Sequence, residues 1–136
     1  MCAVKRIEHI GIAVKDIDHS NRVFAELLGS TPYKSEIVKS EHVITSFFQV
    51  GESKIELLQA THPDSAIARY LEKHREGIHH IAFEVENIQE EISRLAGLGY
   101  KMIHESAKPG ADGKMIAFLH PSSSNGVLVE LCQDAL

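Results

Sequence analysis

The sequence contains an internal repeat, which constrains the fold more than any other feature. The stretch IEHIGIAVKDID at residues 7–18 aligns with IHHIAFEVENIQ at residues 78–89. Further along, KIELLQ at residues 54–59 aligns with VLVELCQ at residues 127–133. The two alignments have offsets of 71 and 74 residues, so the second copy is three residues longer than the first. The chain is therefore interpreted as two copies of one structural unit.

Each copy begins with a strand, continues with a helix and ends with further strands. The helical pattern of the first copy ends at Gly29, and that of the second copy ends at Gly99. Asp16 or Asp18 is expected to cap the first helix, and Asn87 the second, since their side-chain oxygens can accept hydrogen bonds from the first helical turn.

The residues between the copies, HPDSAIARYLEKHREG at 62–77, predict a short connecting helix. Asp64 can cap this helix and Gly77 can end it. Additional strands are expected in VITSFFQV, YKMIH and KMIAFLH, at residues 43–50, 100–104 and 114–120. Turn-rich loops are expected in KPGADG and PSSSNG, at residues 108–113 and 121–126.

Length and composition indicate a single soluble domain. A chain of 136 residues can bury a sizeable core, and its 43% hydrophobic and 24% charged content is typical of globular proteins. The sequence lacks an apolar run of about 20 residues, and its start, MCAVKRIEHI, lacks a signal-peptide core. Cys2 and Cys132 provide no disulfide framework. We therefore expect a cytoplasmic protein.

The net charge of −5 is spread along the chain as mixed acidic and basic residues. This pattern argues against a nucleic-acid or anionic-membrane partner, because such partners select a clustered positive surface. We therefore expect a small-molecule partner, no nucleic acid and no membrane.

Two polar residue types recur in both copies at matching strand positions. Because successive strand residues point to opposite faces, His9 and His80 lie away from the apolar faces of the first strands. Glu56 and Glu130 do the same in the last strands. His79 points to the other face, where we expect a structural residue that is hydrogen-bonded locally.

The strand faces opposite the apolar ones carry two histidines and two glutamates, which is the composition of a metal site. Imidazole nitrogens and carboxylate oxygens suit a divalent first-row ion such as Co, Ni, Zn, Mn or Fe. Four protein ligands on an octahedral ion leave two positions for substrate oxygens, and the set has no thiolate of the kind common in structural zinc sites. One such residue alone is usually structural, whereas recurrence in both copies favours the metal interpretation.

The stretches EHIGIAV, KIELLQ, GIHHIAFEV and GVLVEL resemble the vicinal oxygen chelate superfamily. That superfamily includes glyoxalase I, extradiol dioxygenases, fosfomycin-resistance enzymes and metal-free bleomycin-binding proteins. Within it, PDSAIARYLEK, GIHHIAFEVENI and FLHPSSSNGVLVEL most resemble the methylmalonyl-CoA epimerase family. The resemblance covers about residues 6–133.

The resemblance implies an α+β fold of two tandem βαβββ modules that form a half-open barrel around a metal site. The modules would cover about residues 6–60 and 77–133, with the connecting helix at about 64–76 and one domain over residues 1–136. We also expect a homodimer.

The activity that the resemblance implies is epimerisation of methylmalonyl-CoA, an acyl-CoA, between its 2R and 2S forms. The α-proton would be transferred through a metal-stabilised enolate. The family's metal ligands fall on His9, Glu56, His80 and Glu130, which would hold one divalent ion, Co, Zn, Ni or Mn. Glu130 is the first candidate for the catalytic base and Glu56 the second.

One position departs from the family pattern. Some family members carry a further catalytic glutamate in the strand that here reads HVITSFFQV, and its place is taken by Thr45, or by Ser46 if the register shifts. Neither hydroxyl is an ordinary base at neutral pH. The base would then have to be a metal-bound carboxylate, a water or another side chain such as His104 or His120.

Three other residues have less informative positions. Lys108 and Lys114 flank a glycine-rich loop and could hold CoA phosphates, although we favour solvated loop lysines. Cys132 is expected to be a small buried core residue.

Two alternative functions remain open from the sequence. A glyoxalase I-like isomerase acting on a glutathione adduct would use the same proton-transfer chemistry. A non-enzymatic small-molecule-binding module is disfavoured because all four ligand types are present. The second glutamate also argues against an extradiol dioxygenase, which needs two histidines and one carboxylate.

Overall fold

The computed structural model describes residues 4–135, so Cys2 lies outside the described residues. In this part of the chain, three α-helices and eight strands alternate as two βαβββ series with one connecting helix, which confirms the α+β class and the repeat. In chain order they are β1 (Val4–Ala13), α1 (Ile17–Leu28), β2 (Lys34–Val38), β3 (Val43–Val50), β4 (Ser53–Ala60), α2 (Ala66–Lys73), β5 (Gly77–Val85), α3 (Ile88–Gly97), β6 (Lys108–Pro109), β7 (Lys114–Leu119) and β8 (Val129–Asp134).

The described chain divides into two compact units. The N-terminal unit comprises residues 9–79, and the C-terminal unit comprises residues 4–8 together with residues 80–135. The divisions fall inside β1 after Glu8 and inside β5 after His79, which are equivalent positions of the repeat. No helix in the described part of the chain is both long enough and apolar enough to cross a membrane.

Each unit contains four strands in the same order. In the N-terminal unit the order is β2-β3-β4-β1, with β1 and β4 parallel and the other neighbours antiparallel. In the C-terminal unit the order is β6-β7-β8-β5, with β5 and β8 parallel. The repeat in the sequence is therefore a repeat of strand pairing as well.

One face of each unit carries a helix over an apolar cluster. Helix α1 contributes Ile17 to the cluster of the N-terminal unit, where it packs with Leu57 and Phe48. Helix α3 contributes Ile88 and Ile92 to the corresponding cluster of the C-terminal unit. The apolar faces predicted from strand alternation are thus the faces that the helices cover.

The helix termini follow the sequence signals closely. The Asp16 side chain accepts a hydrogen bond from the backbone N–H of His19 at 3.1 Å, so Asp16, and not Asp18, is the N-cap of α1. Asn87 caps α3 in the same way. Gly29 adopts the left-handed conformation, with φ of 67°, that ends α1 without a Cβ clash.

A glutamine of the last strand also binds the start of each helix. Gln59 accepts a hydrogen bond from the backbone N–H of Ile17 at 2.7 Å, and Gln133 accepts one from Ile88 at 2.7 Å. These matched bonds fix the helix start relative to the strand that carries the predicted ligand glutamate.

Two local predictions were wrong. The connecting helix is capped by Ser65, whose hydroxyl accepts from the Ile67 N–H, and not by Asp64; the helix ends at Lys73, before Gly77. Residues 100–104 form no strand, because only an isolated bridge at Met102 joins them to β7. The sequence also did not predict β2, or the two-residue strand β6 within an expected loop.

The three additional residues of the second copy lie between β7 and β8. In β3 and β4, Phe47 stands opposite Glu56, and a two-residue turn connects the strands. In β7 and β8, Phe118 stands opposite Glu130, and residues 120–128, which include a one-turn 3-10 helix, make the connection. Both ladders keep the same register despite the difference in loop length.

Candidate active site

The N-terminal unit brings His9 and Glu56 together on the face away from α1. The parallel register of β1 and β4 places Gly11 beside Glu56, and its missing side chain leaves room for the carboxylate. The Nδ1 atom of His9 lies 3.1 Å from Oε2 of Glu56, and both side chains are buried.

The C-terminal unit contains the matching pair, His80 and Glu130. Here Ala82 takes the place beside the glutamate that Gly11 has in the other unit. The Nε2 atom of His80 lies 3.3 Å from Oε1 of Glu130, and both side chains are again buried. The small residue predicted on each ligand face is therefore next to the glutamate in both units.

An aromatic ring accompanies each pair. Phe47 lies opposite Glu56 and Phe118 lies opposite Glu130, at equivalent positions of the repeat. The Phe118 ring meets the His80 ring edge-on, with centroids 5.6 Å apart. The sequence interpretation missed both rings. Phe47 and Phe118 are 71 residues apart, as the two histidines are, and this match could have identified them.

The donor set of the two pairs fits a divalent cation. Each pair offers one imidazole nitrogen and one carboxylate oxygen, and all four residues belong to His and Glu groups of a metal-binding kind. Burying a carboxylate beside an imidazole is costly unless a positive charge compensates it. The residues His9, Glu56, His80 and Glu130 therefore have the chemistry that the predicted metal site requires.

His79 has different surroundings from His80. Its ring meets the ring of Tyr70 in α2 edge-on, at 5.1 Å between centroids. Burial lowers the pKa of His79 to about 4, so the ring is neutral at neutral pH. His79 therefore contacts α2 while His80 contacts Glu130, as strand alternation predicts, and the expected local hydrogen bond of His79 stays a prediction.

The pairing of β3 and β4 shows which of Thr45 and Ser46 lies on the face of Glu56. Residues directly opposite each other share a face, so Thr45, two residues before Phe47, lies on the face of Glu56. Ser46 lies opposite Leu57 and shares its helix-covered face. Thr45, and not Ser46, therefore lies on the face that carries Glu56.

Two buried lysines belong to the faces that carry the pairs. Lys54 precedes Glu56 by two residues, and its Nζ lies 5.8 Å from the centre of the Phe47 ring. Lys114 is the first residue of β7 and forms ion pairs with Asp134 and, at 3.9 Å, with Glu84. Our expectation of a solvated loop lysine at 114 was wrong, because these carboxylates allow the ammonium group to be buried.

Three further predicted candidates have local structural contacts. The Nδ1 atom of His104 accepts a hydrogen bond from the Phe118 N–H at 3.2 Å. His120 caps a 3-10 helix by accepting from the Ser122 N–H. Cys132 is fully buried, as predicted, and burial followed by the charge of Glu130 raises the pKa of its thiol.

Comparison with known proteins agrees with this architecture. Residues 8–118 match the model of the Glyoxalase/Bleomycin resistance protein/Dioxygenase superfamily. The chain is 38% identical to the uncharacterized protein YqjC of Bacillus subtilis, over 96% of this chain and 93% of that protein. It is 36% identical to the mitochondrial methylmalonyl-CoA epimerase of Bos taurus, over 94% of this chain and 74% of that protein.

A solved structure shows the same fold. A variant of Streptomyces coelicolor methylmalonyl-CoA epimerase, in complex with 2-nitronate-propionyl-CoA, superimposes with a TM-score of 0.93 at 31% identity, covering 97% of this chain and 96% of that one. Sequence identity, coverage and fold agree. The chain therefore belongs to the methylmalonyl-CoA epimerase family of the glyoxalase superfamily.

Proposed function

We propose that the protein is a metal-dependent methylmalonyl-CoA epimerase that interconverts the 2R and 2S forms of its substrate. The observation that carries the proposal is the buried His and Glu pair found at the same place in each unit. Relatives named as methylmalonyl-CoA epimerases, which align over most of the chain, support the choice of substrate.

We assign His9, Glu56, His80 and Glu130 as the ligands of one divalent ion, Co, Zn, Ni or Mn. When bound, such an ion supplies electrostatic stabilisation for the negative charge that develops as the α-proton leaves. The paired imidazoles and carboxylates would provide its nitrogen and oxygen donors, and the phenyl rings of Phe47 and Phe118 lie on the same strand faces as the two glutamates.

The proton transfer falls to the carboxylates. The α-carbon of the substrate lies between a thioester and a carboxylate, so its C–H bond breaks with the electron pair moving into the thioester carbonyl. Glu130 is the first candidate to accept this proton on a carboxylate oxygen, and Glu56 is the second. Return of a proton to the opposite side of the carbon gives the other epimer, and the reverse reaction follows the same steps.

The decisive experiment measures exchange of the α-proton of methylmalonyl-CoA in deuterated water, with purified protein and each candidate metal added separately. We expect metal-dependent incorporation of deuterium together with epimerisation. A glutathione hemithioacetal tests the glyoxalase alternative, and ethylmalonyl-CoA tests a longer acyl group. Turnover of the glutathione adduct without exchange of the CoA thioester would contradict the proposal.

The cytoplasmic location, the homodimer and the single domain also remain proposals that come from the sequence. Light scattering coupled to size-exclusion chromatography tests the dimer. Fractionation of the native cells tests the location. A single unfolding transition, seen by both fluorescence and circular dichroism, would support the single domain.

A further inference from the structure

Thr45 has an unusual environment for a hydroxyl group. Its side chain is 0% exposed, and its Oγ1 has no hydrogen-bond partner among the described residues. It lies on the face of the N-terminal unit that also carries Glu56. A buried hydroxyl without a partner is costly, and a water or a ligand bound on this face would satisfy it.

The residue directly opposite Thr45 on the neighbouring strand is Glu36. The antiparallel register of β2 and β3 pairs these two residues, so their side chains project from the same face. Along β2, Ser35 and Ile37 are exposed on the other face, whereas Glu36 is half-buried. Strand β2 thus directs a carboxylate to the face of Glu56, beside the position that lacks the family glutamate.

A positive charge accompanies this carboxylate. The Nζ atom of Lys34 lies 3.3 Å from Oε1 of Glu36, and the same Nζ lies 5.4 Å from the centre of the Phe47 ring. Lys34 therefore lies between Glu36 and the ring that stands opposite Glu56. The pair therefore places opposite charges on the face that carries Glu56.

We propose that Glu36 is a catalytic residue of this enzyme, the second proton-transferring carboxylate, which acts from β2 in place of the glutamate missing at Thr45. This inference rests on the proposed epimerase function. Inversion at a carbon requires proton transfer on two opposite sides, and a single carboxylate that serves as a metal ligand covers one side. Glu36 would cover the other.

The step balances without a further reactant. A carboxylate oxygen of Glu36 forms an O–H bond with the α-proton of one epimer as the C–H bond breaks, and the electron pair moves into the thioester. A carboxylic acid on the opposite side, for which Glu130 is the first candidate, returns a proton to the carbon. In the reverse direction Glu36 is the donor.

The test compares Glu36→Gln with the control Glu52→Gln, an exposed glutamate of the same unit in the turn after β3. Each epimer is incubated separately in deuterated water with the metal-loaded protein, and both epimerisation and α-deuteration are measured. For Glu36→Gln we expect epimerisation to fall by at least ~10²-fold, the usual effect of a lost acid–base group. One epimer should still exchange its α-proton with retention of configuration, whereas the other should not.

This asymmetry separates a proton-transfer role from a structural one, because misfolding or metal loss would reduce exchange for both epimers alike. The double variant Glu36→Gln/Thr45→Glu, which puts a carboxylate at the family position, should recover epimerisation.

Equal loss of exchange from both epimers, or epimerisation by Glu36→Gln close to that of Glu52→Gln, would overturn the inference. If the unmodified protein exchanges neither epimer with any metal, the epimerase proposal itself fails, and the role of Glu36 fails with it.

Discussion

Phe118 lies directly opposite Glu130 in the antiparallel ladder of β7 and β8, and its ring packs edge-on against the ring of His80. The proposed base therefore has both an apolar ring and an imidazole as neighbours. Removing water from around a carboxylate strengthens its electrostatic interactions with the groups that remain. The same relationship between Phe47 and Glu56 shows that this arrangement belongs to the repeated unit.

The first prediction concerns Glu130. Glu130→Gln keeps an oxygen that can ligate a metal but removes the basic carboxylate, so we expect the ion to remain bound and α-proton exchange to fall by at least ~10²-fold for one epimer. Glu56→Gln, which makes the same chemical change at the equivalent position, should have a milder effect. Metal analysis and deuterium exchange of both variants provide the measurement, and a larger loss in Glu56→Gln would reverse the assignment.

The second prediction distinguishes the adjacent histidines. His80→Ala should lose most of the bound metal, because it removes the imidazole paired with Glu130. His79→Ala is the matched control and should keep the metal, because that ring packs on Tyr70. Elemental analysis after dialysis measures both, and equal losses would show that the two faces of β5 have been confused.

The third prediction concerns the packing of β4 against α1. Leu57 is completely buried in the apolar cluster beneath α1, so Leu57→Ala should reduce the free energy of unfolding by about 2–5 kcal/mol. Leu27 is 71% exposed, and Leu27→Ala removes the same atoms from the surface with little effect. Urea unfolding followed by circular dichroism provides the comparison. Similar stabilities of the two variants would mean that Leu57 is not part of the core.

The fourth prediction concerns pH and the ion pair between Arg6 and Glu84. Burial alone would raise the pKa of Glu84. The net pKa is nevertheless below the ordinary 4.5, because Arg6 donates a hydrogen bond at 3.0 Å and both Arg6 and Lys114 contribute positive charge. The folded protein then binds this proton more weakly than the unfolded chain does. The stabilisation is therefore complete above pH 4.5 and is lost as the pH falls through the lower folded-state value.

Glu84→Gln should accordingly be less stable than the unmodified protein near neutral pH, and the difference should shrink in acid below pH 4.5. Glu72→Gln, at an exposed position in α2, is the matched control for the chemical change. Urea midpoints across the acid range measure the effect. A stability difference that stays constant down to low pH would exclude ionisation of Glu84 as its cause.

Local signals in the sequence were enough to predict the repeat, the caps of α1 and α3, and the strand faces that carry the His and Glu pairs, whereas the role of these residues as metal ligands stays a prediction. His9 and Glu130 were identifiable because strand alternation and the repeat are both visible along the chain. The choice between Thr45 and Ser46 was not, since it depends on which residue of β4 lies opposite each of them. Glu36 was not identifiable either, because the hydrophobic alternation of the edge strand β2 is weak. Its proposed role follows from its pairing with Thr45, which only the structure shows.

The connection between β7 and β8 holds all the extra length of the second copy. The ladder of β7 and β8 nevertheless keeps the register that β3 and β4 have in the first copy. The net difference in length between the two copies is therefore accommodated at one hairpin. For protein engineering, residues 120–128 are the segment where a peptide tag or a reporter could be inserted without displacing Glu130. The two-residue turn between β3 and β4 offers no comparable freedom, because it directly joins the paired residues Val50 and Ser53 and has no irregular segment to extend.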